Sequence, residues 1–331
     1  MGALTMGFGK RNRILIISDE FDPHVDQMVV LLADLGVACA RWIASSYPTN
    51  SSISIAGDGA AFSCSIKSPK LHVDFETIRS VWYRHPGAPR RPPGLSEDEG
   101  RFAALEVRSA LAGMYQLSEC FWVNHPDRIR IAESKPLQLK LAAELGFRIP
   151  RTLVTNDPEE VRRLSAAIPA GIIYKPLNSG FNLSRERLCY TRCLSAQDLE
   201  QVDLIRNAPG IFQENIRKKI EIRVTIIGGQ VFATEIHSQE LVEAKDDWRQ
   251  ASVEDLPHFP HKLPEEIEDR CKAFLDRCGL VYGAMDLIVD PGGEYIFLEN
   301  NPSGQFGWIE GKTGVPLTAT LAKMLIAGRK I

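Results

Sequence analysis

Between Gly283 and Gly304 the chain reads GAMDLIVDPGGEYIFLENNPSG, with three hard-oxygen side chains, Asp286, Glu299 and Asn301, set among apolar residues. Two short strands, AMDLIVD and EYIFLEN, joined by a tight turn at Pro291-Gly292-Gly293, account for the pattern. Glu299 and Asn301 stand two residues apart and so leave a strand on one face. A turn with an even number of residues sets Glu299 opposite Ala284, with Asp286 one diagonal step away on that face. An odd number sends Asp286 to the other side and breaks the cluster. Two carboxylates and an amide oxygen together suit Mg²⁺, whose shell is commonly one or two carboxylates completed by substrate phosphates. The plainer account is that these are polar strand ends facing water, where most acidic residues lie.

Residues able to meet a phosphate lie upstream. Lys135 stands in Ser134-Lys135-Pro136 at the start of the helix LQLKLAAEL, which Gly146 closes. Lys175 sits on the apolar strand GIIYKPL, ahead of NSGFNLSRERL, a small, polar and basic run with Gly180 near its tip. Such a strand and loop can clamp an anion with backbone N–H groups and the lysine. The run lacks the G-x-x-x-x-G-K-[ST] order of a P-loop, and a strand lysine reaching for water fits equally well. GIFQENI (210–216) is a strand that breaks at a basic RKK. The chain resumes as EIRVTIIGGQVFATEIHSQ, a hairpin about Gly228-Gly229 that puts Glu221 and Arg223 on one face. Taken alone, that pair reads as an ion pair without function. The polar stretch 241–262 has the length of a lid, and its DDWR sets Arg249 beside an indole, a possible stacking element for an anion.

These groups need a frame. RILIIS (13–18), a helix from Pro23 to Gly36 with Val25, Met28, Val29, Leu32 and Leu35 at helical spacing, and VACARWIA (37–44) form a strand–helix–strand unit of a parallel sheet. No G-x-G-x-x-G follows the first strand, which excludes a dinucleotide fingerprint. ISIA and AFSCSI flank Gly57-Asp58-Gly59 as a hairpin, and IRSVWYR (78–84) is a further strand. The Arg- and Pro-rich loop at 86–94 suits an anion or plain solvation. The stretch 97–119 predicts a long helix with Phe102, Leu105, Ala112 and Tyr115 on one face. A helix over 264–278, capped by Gly279, leads into the opening hairpin, and a helix over 313–327 closes the chain on Leu317, Leu321 and Leu325.

A chain of 331 residues exceeds one ordinary core. Its 44% hydrophobic and 24% charged content is that of a globular protein, and a net charge of −3 offers no basic field for nucleic acid. Seven cysteines without a C-x-x-C pair read as reduced thiols. No apolar run approaches a membrane span, and MGALTMGFGK lacks the core of a signal peptide. Residues 1–10 are therefore expected to be a flexible leader and the protein cytoplasmic.

In order along the chain, Lys135 before a helix, Lys175 in Tyr-Lys-Pro, Phe212-Gln213-Glu214, Glu221-x-Arg223, Asp286 and Glu299-x-Asn301 resemble the ATP-grasp superfamily of ligases, over roughly 124–325. VWYRHP (81–86), QLKLAAELGFRIPRTLVTND (138–157), FQENI, EIRVTIIGGQVFATEIHSQ, DWR (247–249) and ENNPSGQF (299–306) are similar to the graspetide, microviridin-type peptide macrocyclases. The single glycine of NSGFNLSRERL departs from their pattern. The resemblance implies an α/β (α+β) ATP-grasp fold. Its parts would be an N-terminal parallel-sheet domain at 11–125, a small central α+β unit at 126–211, and an antiparallel C-terminal unit at 212–331 that holds the metal. It also implies ATP and Mg²⁺, and a precursor peptide with a leader segment as partner. Side-chain carboxylates of that peptide would be activated as acyl phosphates and joined to Ser or Thr hydroxyls or Lys amines. Lys135 and Lys175 would meet the phosphates, the backbone of Gln213, Glu214, Asn215 and Ile216 the adenine, and Glu221 the ribose. Asp286, Glu299 and Asn301 would hold the metal, while Arg223 and Arg249 stabilise the acyl phosphate. A homodimer is compatible with the resemblance, and no nucleic acid or membrane partner is expected. Two other readings stay open: an amino-acid or glutamate ligase acting on a small substrate or protein tail, and a nucleotide-binding protein without catalysis.

Overall fold

The computed structural model of the chain describes residues 11–178, 182–184, 187, 188, 190–252 and 254–331. In it β1 (Arg13–Ser18) is buried along its apolar run, as a strand covered on both faces must be. Asp22 caps α1 (Pro23–Asp34) by accepting the His24 N–H at 2.9 Å, and Gly36, at φ 68°, turns the chain into β2 (Cys39–Ile43). β3 (Ser52–Asp58) and β4 (Ala61–Ser68) pair about Gly59 as expected, and β5 (Leu71–Asp74) adds a third antiparallel strand. β6 (Ile78–Arg84) returns beside β1. After α2 (Glu97–Gln116), β7 (Phe121–Val123) completes a parallel sheet of order β2-β1-β6-β7, and α3 (Pro126–Ala132) follows.

Of the four residues expected on the inner face of α2, Tyr115 is buried and Ala112 half-buried, but Phe102 and Leu105 are not. Gly100, Val107, Leu111, Met114 and Tyr115 turn inward, while Phe102 and Leu105 remain 66% and 56% exposed. Leu105 stands two residues before Val107, roughly 200° around a helix of 3.6 residues per turn, so both cannot face the sheet. Tyr115 settles the choice, because its ring meets Tyr83 and Trp122 edge-on at 5.7 and 5.4 Å.

Next come α4 (Lys135–Glu144), β8 (Thr152–Thr155), α5 (Pro158–Ala167) and β9 (Ile172–Lys175). The short pair β10 (Asn182–Ser184) and β11 (Arg187–Leu188), β12 (Arg192–Cys193), α6 (Ala196–Glu200) and β13 (Gly210–Glu214) follow. β12-β9-β13-β8 form an antiparallel sheet. Gly180, the tip of the anion clamp expected from the sequence, lies outside the described residues.

The last sheet is antiparallel, of order β16-β15-β14-β17-β18: β14 (Ile220–Ile227), β15 (Gln230–Ile236), β16 (His258–His261), β17 (Tyr282–Val289) and β18 (Tyr295–Asn301). α7 (Glu265–Cys278) covers one face with Ile267, Cys271, Phe274 and Leu275, and Gly279 at φ 66° ends it. The helix expected over 313–327 starts later, at Leu317, and a separate helix precedes it. Gly314, at φ 70°, stops α8 (Gly307–Thr313), and α9 (Leu317–Ala327) starts after Pro316. α9 wedges Leu317, Leu321 and Leu325 between the parallel sheet and β14, in one core with Ile14, Ile16, Met28 and Ile227. No described helix is long and apolar enough to cross a membrane.

Candidate active site

The β17–β18 hairpin carries the acidic pair, by a route the turn alone does not supply. Val289 pairs with Tyr295, so residues 290–294 form a five-residue loop, an odd number. Asp290 organises it by accepting the Gly292 and Glu294 N–H groups at 2.8 and 3.0 Å. That loop by itself would set Leu298 opposite Asp286 and turn Glu299 away. The register instead shifts between Asp286 and Leu287, because β18 bulges at Leu298. Asp286 therefore faces Glu299 directly, and Ala284 faces Asn301, correcting the expected Glu299–Ala284 pairing. Asn301 departs from the cluster: it is exposed, and its Oδ1 accepts the Ser303 N–H at 2.9 Å.

Around this pair the sheets gather cations. Arg223 lies opposite Asp286 across β14 and β17 and donates to its Oδ2 at 3.2 Å. Its guanidinium carbon sits 5.7 and 5.9 Å from the rings of Trp248 and Trp308. Lys135, the first residue of α4, ion-pairs with Glu299, and Arg249 Nη1 approaches the same carboxylate at 4.0 Å. Lys175, at the end of β9, lines the same cleft. These charges split the two acids. Burial pushes the Asp286 carboxyl up, Arg223 opposes that, and the Glu299 charge adds to it. Burial acts on Glu299 as well, but Lys135, Lys175 and Arg249 outweigh it and hold this carboxyl below the ordinary range. Burial pushes the Lys175 ammonium down, with Glu299 pulling it back.

The opposite wall is formed by the end of β13. Glu214, Asn215 and Ile216 line the cleft, whereas the Gln213 side chain turns away to donate to Thr152 Oγ1 at 2.8 Å. Glu221 is buried and does not pair with Arg223. Its Oε1 accepts from Lys218 Nζ at 3.0 Å and from Ser238 Oγ at 2.7 Å. After β15, Val242–Ala244 and Trp248–Gln250 form short helical turns, and Ala244, Trp248 and Leu256 pack against Ile236. Asp247 there accepts the Thr191 N–H at 3.1 Å and grips Arg249 through Nε and Nη2 at 2.8 and 2.6 Å.

Arg223, Arg249, Lys135, Lys175, Glu214, Asn215, Ile216, Glu221, Asp286 and Glu299 thus belong to one cleft or its immediate wall, while Gln213 and Asn301 orient their side chains elsewhere. Lys218, Asp247 and Trp308 were missed. Lys218 stands three residues before Glu221 and Asp247 two before Arg249, spacings that could have flagged both. Nothing in the sequence brings Trp308 to Arg223. Among the described residues no group of three His, Cys, Asp or Glu side chains forms a metal site on its own. Asp286 and Glu299 alone make a two-carboxylate set, which suits a cation whose remaining ligands are phosphate oxygens and water.

Residues 13–130 match the family described as the MvdD pre-ATP grasp domain. Among solved structures the chain is similar to a Chryseobacterium gregarium RiPP-associated ATP-grasp ligase in complex with ADP, and a leader and core peptide. That match has TM-score 0.87 and 29% identity, over 97% of this chain and 99% of that one. It is similar also to the macrocyclase MdnC bound with precursor peptide MdnA from Microcystis aeruginosa MRC (TM-score 0.85, 29% identity, 95% and 99% covered). A third is the ATP-grasp ligase PsnB complexed with minimal precursor, Mg and ADP (TM-score 0.76, 26% identity, 95% and 96% covered). No curated protein matches.

Proposed function

Since the chain folds as an ATP-grasp ligase over nearly all its length, with an MvdD-type pre-ATP grasp domain at 13–130, we propose that it crosslinks side chains within a ribosomally made precursor peptide at the expense of ATP. The observation that carries this reading is the Asp286–Glu299 pair, facing inward among Arg223, Arg249, Lys135 and Lys175. Transfer of a phosphoryl group needs little from a protein beyond positioning and charge neutralisation, and this cleft is equipped for both.

In the proposed reaction a substrate carboxylate oxygen attacks the γ-phosphorus of ATP, and ADP leaves. The acceptor hydroxyl or amine then attacks the acyl carbon of the resulting acyl phosphate, phosphate departs, and the acceptor proton is released. Lys135 and Lys175 meet the phosphates. The backbone of 213–216 lies where an adenine edge can be read, and Glu221 accepts from the ribose while Lys218 and Ser238 fix its carboxylate. Asp286 and Glu299 would hold Mg²⁺, which would supply charge neutralisation for the phosphates. Arg223 and Arg249 cover the acyl phosphate with forked donors, and Asp247 fixes the second fork. Trp248, packed with Ala244 and Leu256, keeps water from an intermediate that hydrolyses readily. Dependence on ATP and on a freshly made peptide places the protein in the cytoplasm.

The test is incubation with ATP, Mg²⁺ and candidate precursor peptides carrying Asp or Glu together with Ser, Thr or Lys. Mass spectrometry should find one water mass lost per crosslink. A Glu299→Gln variant should release ADP at least about a hundredfold more slowly. Undiminished release by that variant would sink the assignment of the acidic pair. Turnover driven by free amino acids without any peptide would replace the macrocyclase reading by a small-substrate ligase.

A further inference from the structure

A second and larger concavity lies away from the acidic pair. It encloses about 950 Å³ between α2, the 86–92 loop and the start of α3. Val107, Leu111, Tyr115 and Tyr83 line it, with Pro86, Pro89 and Pro92 along one side. The loop stands there because His85, at φ 41°, turns the chain sharply out of β6. A non-glycine residue in that region is uncommon and holds only where its surroundings fix it. Here the fixing contact is His85 Nε2 donating to Ser303 O at 2.6 Å.

Four arginines rim the groove, Arg90, Arg91, Arg108 and Arg130, against two acids, Asp127 and Glu133. Arg90 has Glu20 at 3.9 Å, and Arg91 spends its guanidinium on the Leu95 and Ser96 carbonyls. Among the described residues no carboxylate pairs with Arg108 or Arg130, and both are exposed. Positive rim, apolar lining and a volume within the range of ligand sites occur together. Ser303, four residues beyond Glu299 in sequence, also lines the groove. Four residues of extended chain cover at most about 14 Å. A peptide lying in the groove thus needs only a few more residues to bring a side chain to the acidic pair.

We propose that this groove binds an acidic, apolar-containing segment of the peptide substrate. The proposal rests on the peptide-ligase reading. A ligase that activates carboxylates works on peptides rich in them, and the arginine rim complements that charge. Apolar side chains of the segment pack against Val107, Leu111 and Tyr115, and its carboxylates meet Arg108 and Arg130.

The test uses three short fluorescein-labelled peptides of identical Phe, Leu, Thr and Gly content, bearing Glu, Gln or Lys at the same positions, read by anisotropy on the full chain. The Glu peptide should bind, the Gln peptide should be weaker by about tenfold, and the Lys peptide should not bind. Arg108→Glu with Arg130→Glu, both on exposed side chains, should weaken the Glu peptide by about tenfold or more, and Ala104→Trp should do the same by filling the groove. The thermal shift produced by ATP and Mg²⁺ should stay unchanged in every variant. Equal binding of the Glu and Lys peptides, no binding of the Glu peptide, or unaltered binding by the variants overturns the groove assignment. Sedimentation showing a dimer that the Ala104→Trp variant breaks overturns it too, by giving the groove to a second copy. Absence of the ATP-dependent shift in the unsubstituted protein counts instead against the ligase reading, and leaves peptide binding to stand or fall separately.

Discussion

Replacing Arg84 by methionine should loosen the segment that follows β18, by an amount that its partners set. Arg84 is 2% exposed and donates to Asp22 Oδ2 at 3.1 Å, to Gly304 O at 3.3 Å and to Ser303 O. Neither carbonyl is orphaned by the change, since Ser303 O keeps His85 Nε2 and Gly304 O keeps the Tyr282 hydroxyl, each at 2.6 Å. The loss falls on Asp22, 9% exposed, which keeps only His24, through its N–H at 2.9 Å and Nδ1 at 3.1 Å. Removing one member of a buried ion pair costs about 3–5 kcal/mol, and the remaining His24 bonds place this case near 3, on the order of a hundredfold in a local opening equilibrium. Hydrogen exchange at the Phe306 and Gly307 amides reads that opening, because both donate to His24 Nε2, at 3.3 and 2.9 Å. The pH dependence has a definite sign. Burial works against the Asp22 charge, but the His24 hydrogen bonds and the Arg84 charge hold its carboxyl well below the ordinary range. A depressed folded value contributes stability fully present above the unfolded value near 3.9 and lost as pH falls through the folded one. Asp22 in Arg84→Met regains a higher value, so the gap from the unsubstituted protein is widest at neutral pH and narrows below about pH 4. The double variant Asp22→Asn with Arg84→Met should exchange more slowly than the single one. A gap constant with pH, or a double variant no better than the single, would refute the reasoning.

Lys175→Ala should raise the ATP concentration needed for half-maximal ADP release by about tenfold or more, because one of the two lysines proposed to meet the phosphates disappears. A loss of turnover at saturating ATP with an unchanged requirement would move Lys175 from nucleotide binding to a later step. Trp308→Ala removes one of the two rings beside the Arg223 guanidinium, an interaction worth about 0.5–2 kcal/mol. Turnover should fall by about threefold to thirtyfold while ATP affinity stays level, since Trp308 is not among the residues lining the cleft proposed for the nucleotide. Trp308→Phe should recover most of the loss, and an equal fall in ATP affinity would count against this placement.

Much of this architecture is legible in the sequence where periodicity and punctuation agree. β1, α1 and β2 follow from an apolar run, a helical repeat and Gly36; the β14–β15 hairpin follows from Gly228, at φ 62°; and α7 follows from its repeat and Gly279. Reading failed where composition is mute about direction. Phe102 and Leu105 are as apolar as Val107 and Leu111, and only the aromatic contacts of Tyr115 decide which side of α2 turns inward. β5 is four residues long, too short for alternation to register. The break at Gly314–Pro316 was readable, since a glycine followed closely by proline ends one helix and starts another.

The acidic pair shows why a correct residue choice can rest on an incomplete geometric argument. Parity of the turn was taken to decide whether Asp286 and Glu299 share a face, yet the loop is odd and they do. A strand has two ways to change parity, in its turn or along its length, and only the first shows as a Gly- and Pro-rich signal. Leu298 supplies the second, and it looks like any other strand leucine. Bulges concentrate beside active sites because they aim a side chain without disturbing the turn. Here the bulge brings Glu299 round to Asp286 while the five-residue loop keeps its Asp290 bonds. The cations follow the same logic. Lys135 meets Glu299, Arg223 meets Asp286, Lys218 meets Glu221 and Arg249 meets Asp247, so each of these four cations has a partner of opposite sign. Under the proposed function, phosphate and metal then enter by exchanging those partners. Lys135 would then pair with phosphate oxygens, freeing Glu299 to hold the metal beside Asp286, so that these buried charges stay compensated.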